Sequence, residues 1–349
     1  MRPILTESIM NMAAMIEIFL ILFAALFMVL VKLTLVQREK KLTKNRRILQ
    51  NLLFKEIYDP NSDDAHLDLP DVLSYWNVLL PVIESIQLKV TDSRWLQIKD
   101  YLTKAYLKPL AKDWVQSSNW SKRNRAGRIY FLDSVAEDEE DICSLLHDQS
   151  FLNRSIASQA AIDIGSKKMI YEVLSVMGTE HPRRRYTYRH SIQKHGIDVY
   201  NKVVDIYRES DDKYVHLACL DIFSYEINSD PTKLIIRDID SEYSTIRLMV
   251  AQIVTKFPSE ETMHILLHYL NDQDASVRIA AADGLGLIGD SCCIDKLAEK
   301  LRDDSWKVRA SAALSMKKIG EAGVTYLKSL NADLDPAAYD AARYALTLP

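Results

Sequence analysis

The chain has 349 residues, 48% of them hydrophobic, and a formal net charge of −4. That hydrophobic share supplies an extended core and excludes intrinsic disorder, while a pI near 6.1 gives no overall attraction to nucleic acid. Nine glycines and ten prolines leave few of the turn signals that strands and hairpins need, so the composition points to an all-α chain.

The first element is apolar. Met12 to Val31 is a run of twenty residues with one charge, Glu17, and at about 1.5 Å per residue it covers the roughly 30 Å hydrocarbon core of a bilayer. Its twelve Leu, Ile, Phe and Val residues outweigh one carboxylate toward the end of the span. No small-x-small site separates the run from Lys32, so a retained transmembrane helix is expected instead of a cleaved signal peptide. Lys32, Arg38, Lys40, Lys41, Lys44, Arg46 and Arg47 follow it, against Arg2 alone before it. The positive-inside rule then sets a single-pass protein of the cell membrane, N-terminus outside and soluble part cytoplasmic.

The chain divides in order into an anchor (1–35), a basic juxtamembrane helix (36–58) with a capacity to self-associate, and a linker (59–71) rich in Asp and Pro, with Asp71 capping the next helix. Residues 72–114 carry Trp76, Trp95, Tyr101, Tyr106 and Trp114 at mixed helical spacings and read as two or three packed helices. Divergent repeats with a basic insertion occupy 115–209, and clear repeats 210–349.

Those clear repeats show when the chain is compared with itself. Tyr269 to Asp290 aligns with Lys300 to Glu321 at an offset of 31: Asp272 with Asp303, Val277-Arg278 with Val308-Arg309, Ala281-Ala282 with Ala312-Ala313, and Gly289 with Gly320. One period earlier stand Ile246-Arg247, and before them Val215-His216, where the Arg is lost. Tyr339-Asp340-Ala341-Ala342 forms a degraded last unit of the kind that caps a stack. Each unit is an apolar helix, an Asp-rich turn and an Ala-bearing helix. Asp272, Asp274, Asp303 and Asp304 offer caps to that second helix. Arg278 and Arg309 then reach an Asp of the same or an adjacent turn, giving a structural ladder of Asp272, Arg278, Asp303 and Arg309. Leu145 to Ser166 and Asn119 to Ser134 are weaker echoes, and the period does not fit between Lys167 and Ser210.

The D-x-x-x-x-V-R-x-x-A-A pattern closed by I-G-D resembles the HEAT-repeat family, particularly the short units of phycobilin-lyase-type proteins. The resemblance implies an α-solenoid of helix pairs whose concave face binds a protein, a peptide or sometimes nucleic acid. The expected fold is therefore all-α, a HEAT-like solenoid preceded by one transmembrane helix.

The segment His181 to His190 concentrates four Arg, two His and two Tyr after a helix-interrupting His-Pro. It is expected as an exposed loop, with Arg183, Arg184, Arg185, Tyr186, Tyr188 and Arg189 as candidates for binding a partner or anion. Ala136 to Ile142 is an acidic run read as a solvated turn. Trp120 and Trp306 are read as core filling. Cys143, Cys219, Cys292 and Cys293 lack paired metal-ligand spacing and are expected as buried reduced thiols, so no metal or cofactor is expected. No GxxxxGK[ST], HExxH or GxSxG sequence occurs, and the chain is expected not to be an enzyme. The function expected is a membrane-anchored scaffold or adaptor binding a membrane-associated protein partner such as a glycosyltransferase or secretion complex. The competing classes are a lyase-like or nucleic-acid-acting repeat enzyme and a self-assembling structural platform.

Overall fold

The computed structural model describes residues 2–58, 67–225 and 230–348. About 81% of the chain is helical and no strand occurs among the described residues, so the architecture is all-α. The chain divides into two units, Met1–Ser134 and Val135–Pro349.

The first unit opens on α1, Arg2–Tyr58, a helix of 57 residues. Its apolar part is long enough to cross a membrane and none of it is buried. Its last turns behave differently. Leu49, Leu53 and Ile57, spaced four apart on one face, are buried, and Arg46 donates to the Asn77 carbonyl at 2.9 and 3.1 Å. The end of α1, expected as a juxtamembrane helix, therefore packs against α3 (Trp76–Gln87) within the first unit. The expected linker lies largely outside the described residues. Asp71 is the first residue of the short α2 (Asp71–Ser74), with Pro70 in the capping position expected of Asp71.

α4 (Ser93–Leu102) runs through a π turn, Thr103–Leu107, into α5 (Lys108–Val115). Pro109 explains that turn: it has no N–H to give and its ring crowds the preceding turn, so the helix widens by one residue there. Trp95 fills the core. Trp76 meets Trp114 edge-on at 5.5 Å, beneath Arg125 of α6 (Trp120–Leu132).

The second unit runs α7 (Glu139–Leu146), α8 (Phe151–Ile164), α9 (Lys167–Thr179), α10 (Pro182–Lys194), α11 (Gly196–Glu209), α12 (Lys213–Phe223), α13 (Thr232–Ile235), α14 (Ser244–Val254), α15 (Glu260–Tyr269), α16 (Ala275–Ile288), α17 (Ile294–Glu299), α18 (Trp306–Ile319), α19 (Glu321–Ser329) and α20 (Pro336–Thr347). The stack of α14, α16 and α18 is close because its contact residues are small. A Cβ at Gly284 would stand 2.4 Å from Thr255 Oγ1, and one at Gly286 would stand 2.6 Å from the Ser315 side chain.

One position in the first turn of the second helix ties each pair together. Arg278 Nη1 reaches back to the carbonyls of Asp272 and Gln273 at 2.8 and 3.1 Å. Its other edge grips the Asp303 carboxylate at 2.8 and 2.9 Å. Arg247 repeats this on the Ser241 carbonyl and the Asp272 carboxylate, and Arg154 on the Asp148 and Gln149 carbonyls and Glu180. Arg123 in α6 makes the carbonyl half of the contact, to Ser117 and Ser118. Arg309 takes the carbonyls of Asp303 and Asp304, and its Nε has no partner among the described residues.

The intervening positions are occupied too. Arg185, one repeat period after Arg154, donates to the carbonyls of Gly178 and Glu180 at 3.0 and 3.1 Å. His216, one period further on, places Nε2 2.7 Å from the Ser210 carbonyl and Nδ1 2.9 Å from Asp238. The segment between Lys167 and Ser210 is therefore in frame with its neighbours, against the expectation of a break. Trp120 and Trp306 are also corrected: each is the first residue of its helix and each is exposed, Trp306 lying edge-on to Tyr344. Asp274 caps α16 as a hydrogen-bond acceptor, whereas the capping position of α18 is Ser305.

The ladder's charges respond to pH in opposite directions. Burial opposes ionisation of Asp272 and Asp303, but hydrogen bonds from Arg247 and Arg278 and from backbone amides outweigh it, and both carboxyls titrate below their usual value of 3.8. Their contribution to stability is present above that value and lost as pH falls through the depressed folded pKa. Burial also opposes the His216 imidazolium, but Asp238 and the Ser210 carbonyl both accept from it and raise its pKa above 6.5. That contribution is complete below 6.5 and is lost as pH rises through the folded value.

Two outcomes follow. Arg278→Ala leaves a mostly buried Asp303 unpaired and lowers stability in chemical denaturation by about 2–4 kcal/mol; Arg309→Ala, with no carboxylate to strand, costs about 1 kcal/mol less. Equal losses would show that the carboxylate adds nothing. In denaturation followed across pH 5 to 9, His216→Gln flattens the decline of stability on the alkaline side; a decline as steep as in the parent would assign it to other groups.

Candidate partner-binding surface

The basic segment 181–190 is helix, not loop. Pro182 stands at the first helical position, where the missing N–H has no bond to lose, and the His181 ring accepts from the Arg183 amide as a cap. Helical spacing then sorts the six candidate residues onto two faces. Arg185, Tyr188 and Arg189 are buried. Arg185 holds the carbonyls already described, and the Tyr188 hydroxyl donates to Glu180 at 3.3 Å. Arg189 is ion-paired with Asp221 and its guanidinium lies 3.5 Å over the Tyr225 ring. Burial of Asp221 outweighs the attraction of Arg189 and raises the carboxyl above its ordinary range. Arg183, Arg184 and Tyr186 are exposed together with His190. Tyr186 stacks on His190, and Arg184 covers the Phe151 ring.

The face continues past α10. Beside Tyr225 lies an open groove of about 530 Å³, lined by Tyr225, Leu248, Gln252, Lys256, Asp283 and Leu287 among others. Lys256 lies 5.3 Å from the Tyr225 ring and donates to the Ser224 carbonyl. Tyr186, Arg189, Tyr225 and Lys256 thus alternate aromatic ring and cation, with Arg189 5.7 Å from the Tyr186 ring. Asp283 accepts from Ser311 at 2.6 Å, and Leu287 stands 66% exposed at the far end. Exposed apolar, aromatic and cationic groups side by side suit a peptide segment that carries apolar side chains and an acidic group.

The groove residues were not found from the sequence, although the signal was available. Tyr225, Lys256 and Leu287 follow one another at the offset of the repeat, and so occupy one register position in successive pairs. Two cysteines also depart from expectation: Cys219 and Cys293 are buried as expected, but Cys143 is only partly covered and Cys292 is exposed.

A family model described as HEAT repeats matches residues 231–317 and again 263–347. No curated protein matches the sequence. Solved structures similar to the chain include the E. coli protein YibA at 15% identity and a TM-score of 0.40, covering 74% of this chain and 99% of that one. Kap95p, solved with RanGDP, is similar at 11% identity and a TM-score of 0.34, covering 87% and 55%. Human deoxyhypusine hydroxylase in complex with glycerol is similar at 14% identity and a TM-score of 0.30, covering 70% and 96%. At these scores none carries an argument about what this chain does. The last nevertheless corrects one expectation: an enzyme stands among the similar structures, so the absence of familiar catalytic motifs does not make the chain a non-enzyme. The match to HEAT repeats thus spans residues 231–347, about a third of the chain.

Proposed function

We propose that the chain is a membrane-anchored scaffold whose helical repeats, recurring at an offset of 31 along the sequence, bind a protein partner along the face formed by α10 and the Tyr225–Leu287 groove. The observation that carries this reading is the register of Tyr225, Lys256 and Leu287. A stack that places an aromatic ring, a cation and an apolar side chain at equivalent, open positions has a surface graded along its length, as recognition of an extended segment requires. The exposed residues of α10 extend that surface with Arg183, Arg184 and Tyr186.

The apolar part of α1 is the anchor, and the basic residues from Lys32 to Arg47 hold the repeats on the cytoplasmic side. Because the end of α1 packs onto α3, the first soluble unit is fixed to the anchor without a flexible joint. Confinement at the bilayer raises the local concentration of a membrane-bound partner, so moderate affinity suffices. A membrane glycosyltransferase or secretion complex is the kind of partner this arrangement serves.

The test uses a photo-crosslinking residue at position 287 in membranes. A discrete protein adduct is expected, lost in Lys256→Glu and kept in Lys328→Glu, an exposed position on α19 that does not line the groove. An adduct equally strong in all three, or none in any, overturns the groove as the binding site. Topology is read from Cys292, whose exposed thiol resists an impermeant maleimide in intact cells and reacts after permeabilisation if the repeats are cytoplasmic. Arg183→Ala with Arg184→Ala weakens the adduct while changing stability by less than about 0.5 kcal/mol. Arg189→Ala strands the buried Asp221 and costs about 3 kcal/mol in denaturation.

A further inference from the structure

We propose that Cys143, His147 and Glu172 form a binding site for a borderline-soft divalent cation of the zinc class. Cys143 and His147 are four residues apart along α7 and its C-terminal cap, so their side chains share a face. Glu172 of α9 completes the cluster from the facing helix. One donor atom from each lies within 4.8 Å of the others, and His147 Nε2 is 3.2 Å from the Glu172 carboxylate. Tetrahedral zinc with bonds of about 2.0–2.3 Å places its ligands about 3.3–3.7 Å apart. The His–Glu pair, at 3.2 Å, needs to open only slightly to reach that spacing, and a rotamer adjustment of about 1 Å at Cys143 closes the rest.

The donor set matches the chemistry of the ion. One thiolate, one imidazole and one carboxylate is a combination that zinc accepts, and three protein ligands leave the fourth position for water or an added ligand. The site sits at the C-terminal end of α7, where the negative end of the helix dipole favours a cation. Glu139 adds negative charge beside Cys143, while Lys168, 3.4 Å from Glu139, offsets part of it. The acidic run at 136–142, expected as a solvated turn, is instead a 3₁₀ turn with Asp138 buried, followed by the first turn of this helix. Binding replaces the Cys143 thiol proton: the S–H bond breaks, a sulfur–metal bond forms and the proton passes to water. Burial foremost, then Glu172, raises the Cys143 pKa, so the affinity grows with pH as that proton becomes easier to remove. Without a metal the His147–Glu172 contact is a surface hydrogen bond of little energetic weight.

The experiment titrates the purified full chain in detergent, under reducing conditions, with Co²⁺ and then Zn²⁺. One equivalent of Co²⁺ is expected to give the near-ultraviolet thiolate-to-cobalt band and the intense visible bands of a four-coordinate ion, both erased by Zn²⁺. Cys143→Ser abolishes the thiolate band. His147→Ala and Glu172→Gln each weaken binding at least tenfold, since loss of an outer-shell partner alone costs about 10–100-fold. The Cys292→Ser/Cys293→Ser double variant keeps the spectrum unchanged. Helical circular dichroism of each variant in the absence of metal confirms that the fold is intact, as expected for partly exposed positions. A thiolate band that persists in Cys143→Ser, one that vanishes with the Cys292/Cys293 pair, or no cobalt band in the parent chain overturns the proposal.

Discussion

A helix that begins at a tight turn leaves the carbonyls of that turn pointing inward with no amide to meet them. In this chain one side chain answers that need over and over. The guanidinium of Arg278 is planar and carries donors on two edges, so it satisfies the turn behind it and grips the acid of the turn ahead in one rigid group. Its carboxylate partner, Asp303, comes sooner along the chain than the next equivalent position, Arg309, so Arg278, like Arg154 and Arg247, spans from its own pair of helices to the next. Stacking is thereby built into the turns, and the apolar faces need supply only the bulk of the burial. The series also shows how a stack ends. The position that corresponds to Asp272 and Asp303 in the following unit is Leu334, which is exposed, and the forward half of the contact stops there.

How much of this could be read from the sequence depends on whether a position keeps its chemistry from one unit to the next. Between Tyr269 and Glu321 the Asp, Arg, Ala and Gly positions are unchanged, and self-comparison finds them. At 216 the Arg is replaced by His, which still reaches both acceptors because the two ring nitrogens point in opposite directions, so the contact survives while its signature does not. At 185 the Arg is present, but His181-Pro182 next to it read as a helix break, although Pro at a first helical position begins a helix instead. Trp120 and Trp306 were misplaced for a related reason. Their size suggested a core, yet the first residue of the second helix faces outward in both units. The Cys143–His147–Glu172 cluster was invisible since its third member comes from α9 and the other two from α7 and its cap, and nothing in the spacing announces that the two helices face each other.

The relation between the apolar run and the packed part of the first unit was legible only in part. Length and charge mark where a bilayer would begin and end, but periodicity alone left the juxtamembrane stretch as a free basic helix. The structure uses its Leu49, Leu53 and Ile57 face against α3, so that face is committed to packing within the unit. A helix continuous from the apolar run into a packed unit transmits tilt and rotation directly between the two, with no flexible linker to absorb them.

Repetition and recognition then divide the register between them. Ladder positions stay nearly uniform, because the carbonyls they satisfy are the same in every turn whatever the side chains nearby. Positions 225, 256 and 287 face open groove on the same stack and share no common acceptor, so they are free to differ: Tyr, Lys and Leu. Uniform side chains there would bind equally well in every register along the stack and select none. The difference between three equivalent positions is what gives the groove a direction, and the fixed ladder beneath is what holds those three side chains at the spacing a bound segment must match.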